Sequence, residues 1–198
     1  ILLVLWSFVT LTFFPVDPLV MRAVHLGIAM FLVFMLFPAT KNSPKDRPTL
    51  FDLLWSIFPL AMMAYVVVEA EKLAYRVGSG MPNEIDIALG TIMIILALEV
   101  ARRVAGMALV IVGIIAILYA LFGNHIPGVA GHRGYQWSRI ISIMFSEDGI
   151  LGSAVQVAAT FAVLFITFGS FLTRTGISDF INDFAFSLLG GQRGGPAK

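Results

Sequence analysis

The sequence predicts an all-α, polytopic membrane protein with about six transmembrane helices and a carboxyl-terminal amphipathic helix at the membrane interface. Two observations predict this fold class. The 198 residues are 59% hydrophobic with a mean hydropathy of +0.92, more than suits a soluble domain, which must cover its surface with polar residues. The apolar residues also cluster in long stretches, and about 20 such residues carry a helix across the hydrocarbon core.

Six apolar stretches approach the length of a spanning helix. In chain order they are residues 1–14, 22–37, 50–75, 85–100, 104–122 and 151–172. Prolines follow the first two, and Pro59 lies inside the third, where it removes a backbone hydrogen bond. The fourth is short and flanked by charges, so spanning the membrane and lying on its surface both stay open for it.

The connection between the fourth and fifth stretches leaves two arrangements open, a tight hairpin and one long bent helix. Only residues 99–105 separate the two stretches. The hairpin is favoured, because Arg102 and Arg103 at the bilayer centre would cost roughly 2.5–3.5 kcal/mol each on insertion scales, whereas at a membrane edge they cost little.

The distribution of Lys and Arg over alternate loops predicts the orientation. Eight basic residues fall on one side, which is therefore predicted to be cytoplasmic: Lys41, Lys45, Arg47, Arg102, Arg103, Arg174, Arg193 and Lys198. Five fall on the other: Arg22, Lys72, Arg76, Arg133 and Arg139. Residues 123–149 then face outward, and their length suits contact with an external partner.

The segment after the sixth stretch has the pattern of a short amphipathic helix. Its apolar residues recur at helical spacing, and polar residues fill the other face. The apolar set is Ile177, Phe180, Ile181, Phe184, Ala185 and Leu188. Because Asp179 and Asp183 would be desolvated in a spanning helix, this helix is predicted to lie flat at the interface.

The composition argues against several classes of function. The absence of cysteine removes disulfides, thiolate nucleophiles and Cys-type zinc sites, and a net charge of +1 offers no basic surface for nucleic acid. His125 and His132 have no carboxylate at a spacing that suggests zinc. No Walker loop, Ser/His/Asp arrangement or catalytic carboxylate pair is present, so neither an enzyme nor a bound cofactor or metal is predicted.

Glu99, Arg102 and Arg103 are the candidate site residues. Their spacing of i, i+3 and i+4 places the carboxylate on the same helix face as both guanidinium groups. One interpretation is an ion pair that anchors the helix at the membrane edge. The other is a contact that fixes a mobile partner domain.

A second charged group ends the third stretch and comprises Glu69, Glu71, Lys72 and Arg76. Carboxylates inside a membrane are candidates for a proton relay. The uncharged run before them, residues 53–68, places these residues near the outer interface instead.

Several short runs, taken in order, resemble the amino-terminal part of fused permease subunits of tripartite ATP-independent periplasmic (TRAP) transporters, the type paired with TAXI-class binding proteins. The runs are Glu99 to Gly106, Tyr119 to Gly123 with Ile126-Pro127-Gly128, Asp148 to Gly152, Ala159-Thr160-Phe161, Phe168 to Leu172, and Gly190 to Lys198. Each run is weak alone, but their shared order over nearly the whole chain is fairly specific.

The resemblance implies a permease of a bacterial or archaeal cytoplasmic membrane. Such a permease takes an organic solute, often a carboxylate, from a periplasmic solute-binding protein and drives it inward with a cation gradient, usually sodium. The lipid bilayer, the TAXI-class binding protein and the solute are thus the implied partners. The family's solute and coupling-ion sites lie on Gly-, Ser- and Asn-rich hairpins and broken helices that these residues do not include, so no binding residue is carried over.

The resemblance also implies a division of the chain. Residues 1–103 correspond to a four-helix scaffold like the small subunit, 104–149 to a connecting helix and outer loop, and 150–198 to the start of the large transport module. In this division Glu99, Arg102 and Arg103 are predicted to lie at the junction of scaffold and transporter. Both ends of the sequence have the look of cuts in a longer protein.

Two other functions stay open at this point. One is a small membrane scaffold or assembly protein without transport activity. The other is a proton-coupled channel subunit that uses Glu69, Glu71 and Glu99.

Overall fold

The computed structural model describes residues 1–40, 43–44 and 47–189, and these residues are helical without any strand. The α-helices are α1 (Leu2–Thr12), α2 (Pro18–Leu36), α3 (Leu50–Gly78), α4 (Glu84–Val104), α5 (Met107–Phe122), α6 (Trp137–Met144), α7 (Ser153–Val157), α8 (Val163–Arg174) and α9 (Ile177–Leu189). A π-helical turn, Ala158–Ala162, joins α7 to α8, so that one helix runs over Ser153–Arg174. The all-α prediction is confirmed.

The central helices begin at residues suited to capping them. Asp17 caps α2 by accepting a hydrogen bond from the Leu19 amide at 2.8 Å. Thr49 with Asp52, and Asn83 with Asp86, form capping boxes at the starts of α3 and α4. Each box satisfies backbone N–H groups that a first helical turn leaves free.

The apolar core lies where α2, α3 and α4 meet. Phe34 of α2, Val66 and Leu73 of α3, and Leu96 of α4 are almost wholly buried. Burial of such side chains contributes roughly 1.5–3 kcal/mol each relative to exposure. These three helices form the best-packed part of the structure.

The connection between α4 and α5 is a tight hairpin, as favoured from the sequence. Gly106 adopts a φ of 91° between the two helices, a conformation that residues with a Cβ rarely adopt. Helix α5 then folds back along α4 and places Gly113 against Leu98. The alternative of one long bent helix is wrong.

The expected number of about six spans needs correction. Four helices are long and apolar enough to cross a membrane: Pro18–Leu36, Leu50–Gly78, Met107–His125 and Ser153–Arg174. Of the other two, α1 has only 11 residues, and every 18-residue window of α4 contains at least three charged residues. Helix α4 nevertheless lies beside α2, α3 and α5.

The segment after α5 enters the core instead of forming a simple loop. The Trp137 indole N–H donates to the Thr91 hydroxyl at 2.9 Å, which holds α6 against α4. Ile141, Phe145 and Leu151 are buried among the core side chains of α2, α3 and α4. This segment is thus more than a minimal connector, as its length indicated.

The carboxyl-terminal helices lie against the amino-terminal ones. The Ser153–Arg174 helix packs against α1 and α2, and α9 follows it with contacts only to α8 among the closer helix pairs of the described chain. Phe180, Ile181 and Phe184 of α9 are exposed. The amphipathic helix is confirmed, and its place at the interface stays a prediction. Lys41, Lys45, Arg193, Lys198 and the run from Gly190 lie outside the described residues.

Candidate functional site

Arg103 lies at the carboxyl end of α4 and bonds to α3 and to the residue that ends α2. Its Nη1 donates to Asp52 Oδ1 at 2.6 Å and to the Phe37 carbonyl at 2.9 Å. Its Nε donates to Glu99 Oε1 at 2.7 Å, and the guanidinium lies 4.7 Å from the centre of the Phe34 ring. The side chain is 0% exposed, so these contacts replace its hydration.

Arg102 extends the same cluster toward solvent. Its Nε and Nη2 donate to the two oxygens of Glu99, both at 2.7 Å, in the fork geometry that favours arginine over lysine. Nη2 also donates to the Ala39 carbonyl at 2.6 Å. Arg102 therefore ties α4 to the segment that follows α2.

Asp52 completes the cluster from α3. While Oδ1 accepts from Arg103, Oδ2 accepts from the Thr49 backbone N–H at 3.0 Å and from its hydroxyl at 2.7 Å. Two arginines thus face two carboxylates, and this balance of charge makes burial tolerable. We call Asp52, Glu99, Arg102 and Arg103 the Arg103 network.

A second cluster lies at the opposite ends of α3 and α4, around the fully buried Asp86. Its Oδ2 accepts from Arg76 Nε at 2.6 Å and from the Asn83 backbone N–H at 3.0 Å. Its Oδ1 accepts from the Tyr65 hydroxyl at 2.6 Å and from Arg76 Nη2 at 3.0 Å. Glu69 lies 3.3 Å from Arg76 Nη1. Tyr65, Glu69, Arg76 and Asp86 form the Asp86 network.

A third polar contact joins α2 to the segment that precedes and begins α7. Arg22 Nη1 donates to the Leu151 carbonyl at 3.1 Å, and Nη2 donates to Gln156 Oε1 at 2.9 Å. Nη1 also lies 3.1 Å from Glu147 Oε2. We call these four residues the Arg22 contact.

The structure brings Glu99, Arg102 and Arg103 together as the helical spacing predicts. Within the described part of the chain, all their hydrogen-bond partners lie in residues 37–103, so in this structure they join α2, α3 and α4 to one another. Their role at a junction with a transport module stays a prediction. Lys72 Nζ and Glu69 Oε1, three residues apart along α3, lie 3.2 Å from each other.

Sequence reasoning missed Asp52, Tyr65, Asp86 and the partners of Arg22. The sequence held the same signal for both aspartates. Each stands three residues after a capping residue and could be recognised as part of a capping box. For Arg22 the signal was a lone arginine near the start of an apolar helix, which is a functional candidate by default.

Within residues 1–40, 43–44 and 47–189 no group of three or more His, Asp and Glu residues is placed to hold a metal ion. His132 instead contacts Tyr119, with its Nε2 3.1 Å from the Tyr119 carbonyl oxygen. His125 lies beside the ring of Phe122. The two histidines therefore pack against aromatic residues of α5.

Residues 92–198 match the family described as the tripartite ATP-independent periplasmic transporter, DctM component. The match covers more than half of the chain, from the middle of α4 onward. Neither a curated protein nor a solved structure matches the chain. The family match agrees with the order of sequence runs and with several helices able to span a membrane, and the chain belongs to the DctM family of TRAP transporter permease components.

Proposed function

We propose that this chain takes part in the import of an organic solute, a carboxylate, driven by a cation gradient. Membership of the DctM family makes it a TRAP permease component and not a member of an enzyme family. This family match is the observation that carries the proposal. The coupling ion proposed is sodium, with a proton as the alternative.

The proposed role of the first four helices is that of a stationary scaffold. The Arg103 network joins α2, α3 and α4 at one end, and the Asp86 network joins α3 and α4 at the other. Because both clusters pair buried charges, separating these helices would expose or strand charge at a large cost. In this proposal residues 1–103 are the scaffold, 104–149 the connecting helix and outer segment, and 150–198 the start of the transport module.

The proposed partner is a periplasmic solute-binding protein of the TAXI class. We place its docking surface on the outward side, which includes the segment between α5 and α7. The solute and ion sites belong, on this proposal, to parts of the transport module other than the residues described. The membrane is the cytoplasmic membrane of a bacterium or archaeon.

Uptake by proteoliposomes tests the proposal. The intact permease would be reconstituted with a TAXI-class binding protein outside and assayed with radiolabelled mono- and dicarboxylates as probes. Import should require both the binding protein and an inward sodium gradient. Vesicles with potassium in place of sodium, and vesicles lacking the binding protein, are the matched controls.

The rival function is a membrane scaffold or assembly protein without transport activity. It predicts a stable reconstituted protein that imports none of the probes under any gradient. Import that is independent of the binding protein would contradict the proposed mechanism while leaving transport itself in place.

A further inference from the structure

The chain makes an unusually tight turn just before the Ser153–Arg174 helix. The Ile150 amide donates to the Met144 carbonyl at 2.8 Å, and the Gly152 amide donates to the Gly149 carbonyl at 3.0 Å. A Cβ on Gly149 would collide with the backbone of Ile143 and Met144. The turn therefore requires glycine for close backbone approach and not for an unusual φ angle.

This turn is held at two points. The Leu151 side chain is 0% exposed and packs into the core between α2, α3 and α4. Its carbonyl oxygen accepts from Arg22 Nη1 at 3.1 Å. The same residue thus anchors the turn through its side chain and through its backbone.

Arg22 reaches acceptors on both sides of the start of this helix. Nη1 bonds to Leu151, which precedes the helix, and Nη2 bonds to Gln156, which lies in its first turn. The planar guanidinium presents these donors in a fixed geometry. The Arg22 side chain is only 8% exposed, so its N–H donors depend on such protein acceptors instead of water.

The ion pair with Glu147 contributes less to this contact. The Glu147 side chain is 51% exposed, and solvent screens a pair that is open to this extent. The buried hydrogen bonds to Leu151 and Gln156 are therefore the part of the Arg22 contact that sets position.

We infer that Arg22 is a positioning residue that fixes the start of the Ser153–Arg174 helix onto α2. In the proposed function, on which the meaning of this inference rests, Arg22 is the point where the scaffold holds the beginning of the transport module. The inference itself concerns the contact, so it is tested without an uptake assay.

Cysteine labelling tests the inference in the intact permease. Residues 1–198 contain no cysteine, so after replacement of any cysteine elsewhere a single Ala159→Cys, at a fully buried position of the Ser153–Arg174 helix, reports on how the start of this helix is held. Its reaction rate with a membrane-impermeant maleimide should rise at least about tenfold in Arg22→Met, because loss of charge-assisted hydrogen bonds favours local opening. Leu73→Cys, another fully buried position, is the matched reporter and should keep its rate.

Two further variants separate positioning from charge. Arg22→Lys should also raise the rate, since one ammonium cannot reach the acceptors of both guanidinium nitrogens. Glu147→Gln should change the rate less than about twofold. The inference is overturned if Arg22→Lys keeps the original rate, if Glu147→Gln reproduces Arg22→Met, or if the Leu73→Cys reporter accelerates equally. If the labelling rates change as expected but the permease imports no solute, that result would count against the proposed function and not against this inference.

Discussion

The Arg103 network and the Arg22 contact both use buried arginines, but they join different parts of the chain. The Arg103 network joins α2, α3 and α4 through two arginines and two carboxylates, with Arg103 0% exposed. The Arg22 contact joins α2 to the Ser153–Arg174 helix and to the turn before it. Arg22 is paired there with the Leu151 carbonyl, the side-chain amide oxygen of Gln156 and the half-exposed Glu147 carboxylate. The Arg103 network is thus a charge-balanced cluster, whereas the Arg22 contact depends on one arginine side chain.

The two contacts should therefore differ in what their loss does to the fold. Breaking the Arg103 network strands charge inside the best-packed helices, which threatens the whole fold. Breaking the Arg22 contact removes hydrogen bonds at one helix start and leaves the α2–α3–α4 core in place. Among the described residues each arginine also keeps one buried nitrogen without a hydrogen bond, Nη2 in Arg103 and Nε in Arg22, so this feature does not distinguish them.

The largest effect is expected for Arg103→Met. It leaves the buried Asp52 without its cation, and removal of one partner of a buried pair costs about 3–5 kcal/mol. The free energy of unfolding would be measured by denaturant titration of the detergent-solubilised protein. Arg174→Met, at an exposed site, is the control and should change stability by less than about 0.5 kcal/mol. Equal stability of the two variants would contradict the importance given to the network.

Asp86→Asn should follow in size. The amide keeps the shape of the carboxylate but loses charge-assisted bonds from Arg76, and the expected loss is about 2–3 kcal/mol. The companion Tyr65→Phe removes only one hydroxyl donor to Asp86 and should cost about 1 kcal/mol. A larger loss for Tyr65→Phe than for Asp86→Asn, in the same titration, would show that the charge matters little.

Gly149→Ala should destabilise the turn before the Ser153–Arg174 helix by about 1–3 kcal/mol, because the new methyl group meets backbone atoms that cannot move away cheaply. Gly169→Ala is the matched control, since a Cβ there meets nothing within 4 Å inside a helix. That control should be neutral or slightly stabilising. Thermal unfolding of both variants compares them, and a harmless Gly149→Ala would refute the tight-turn explanation.

The smallest effect is expected for Arg102→Met. Arg102 is 33% exposed, so water screens its pair with Glu99 and can replace part of it; the expected loss is about 1 kcal/mol or less. The comparison with Arg103→Met, two variants one residue apart, isolates the role of burial. If both variants lose the same free energy of unfolding, then the exposure of each arginine does not determine how much it contributes to stability.

The helices and the Glu99–Arg102–Arg103 cluster could be predicted because both depend on local spacing. Apolar stretches define spanning helices, and i, i+3 and i+4 separations place side chains on one face. The hairpin at Gly106 was also predictable, since two adjacent arginines are costly at the bilayer centre.

What the sequence could not give is the set of distant partners. Asp52 lies 51 residues from Arg103, and Leu151 lies 129 residues from Arg22. No local period connects such residues, because their contact depends on how α2, α3 and α4 pack. The number of helices long and apolar enough to span is four, below the six stretches in the sequence, because α1 has 11 residues and charges enter both ends of α4.

Hydrogen exchange of the intact permease in nanodiscs tests the central claim, that the first four helices form a stationary scaffold for a DctM transport module. Peptides would be compared with and without sodium and the solute-loaded binding protein. The account predicts unchanged exchange in α2, α3 and α4, with changes confined to the docking segment between α5 and α7 and to peptides from Ser153 onward. Comparable changes in α2, α3 and α4 would contradict it, because the helices assigned to the scaffold would then rearrange with the transporter.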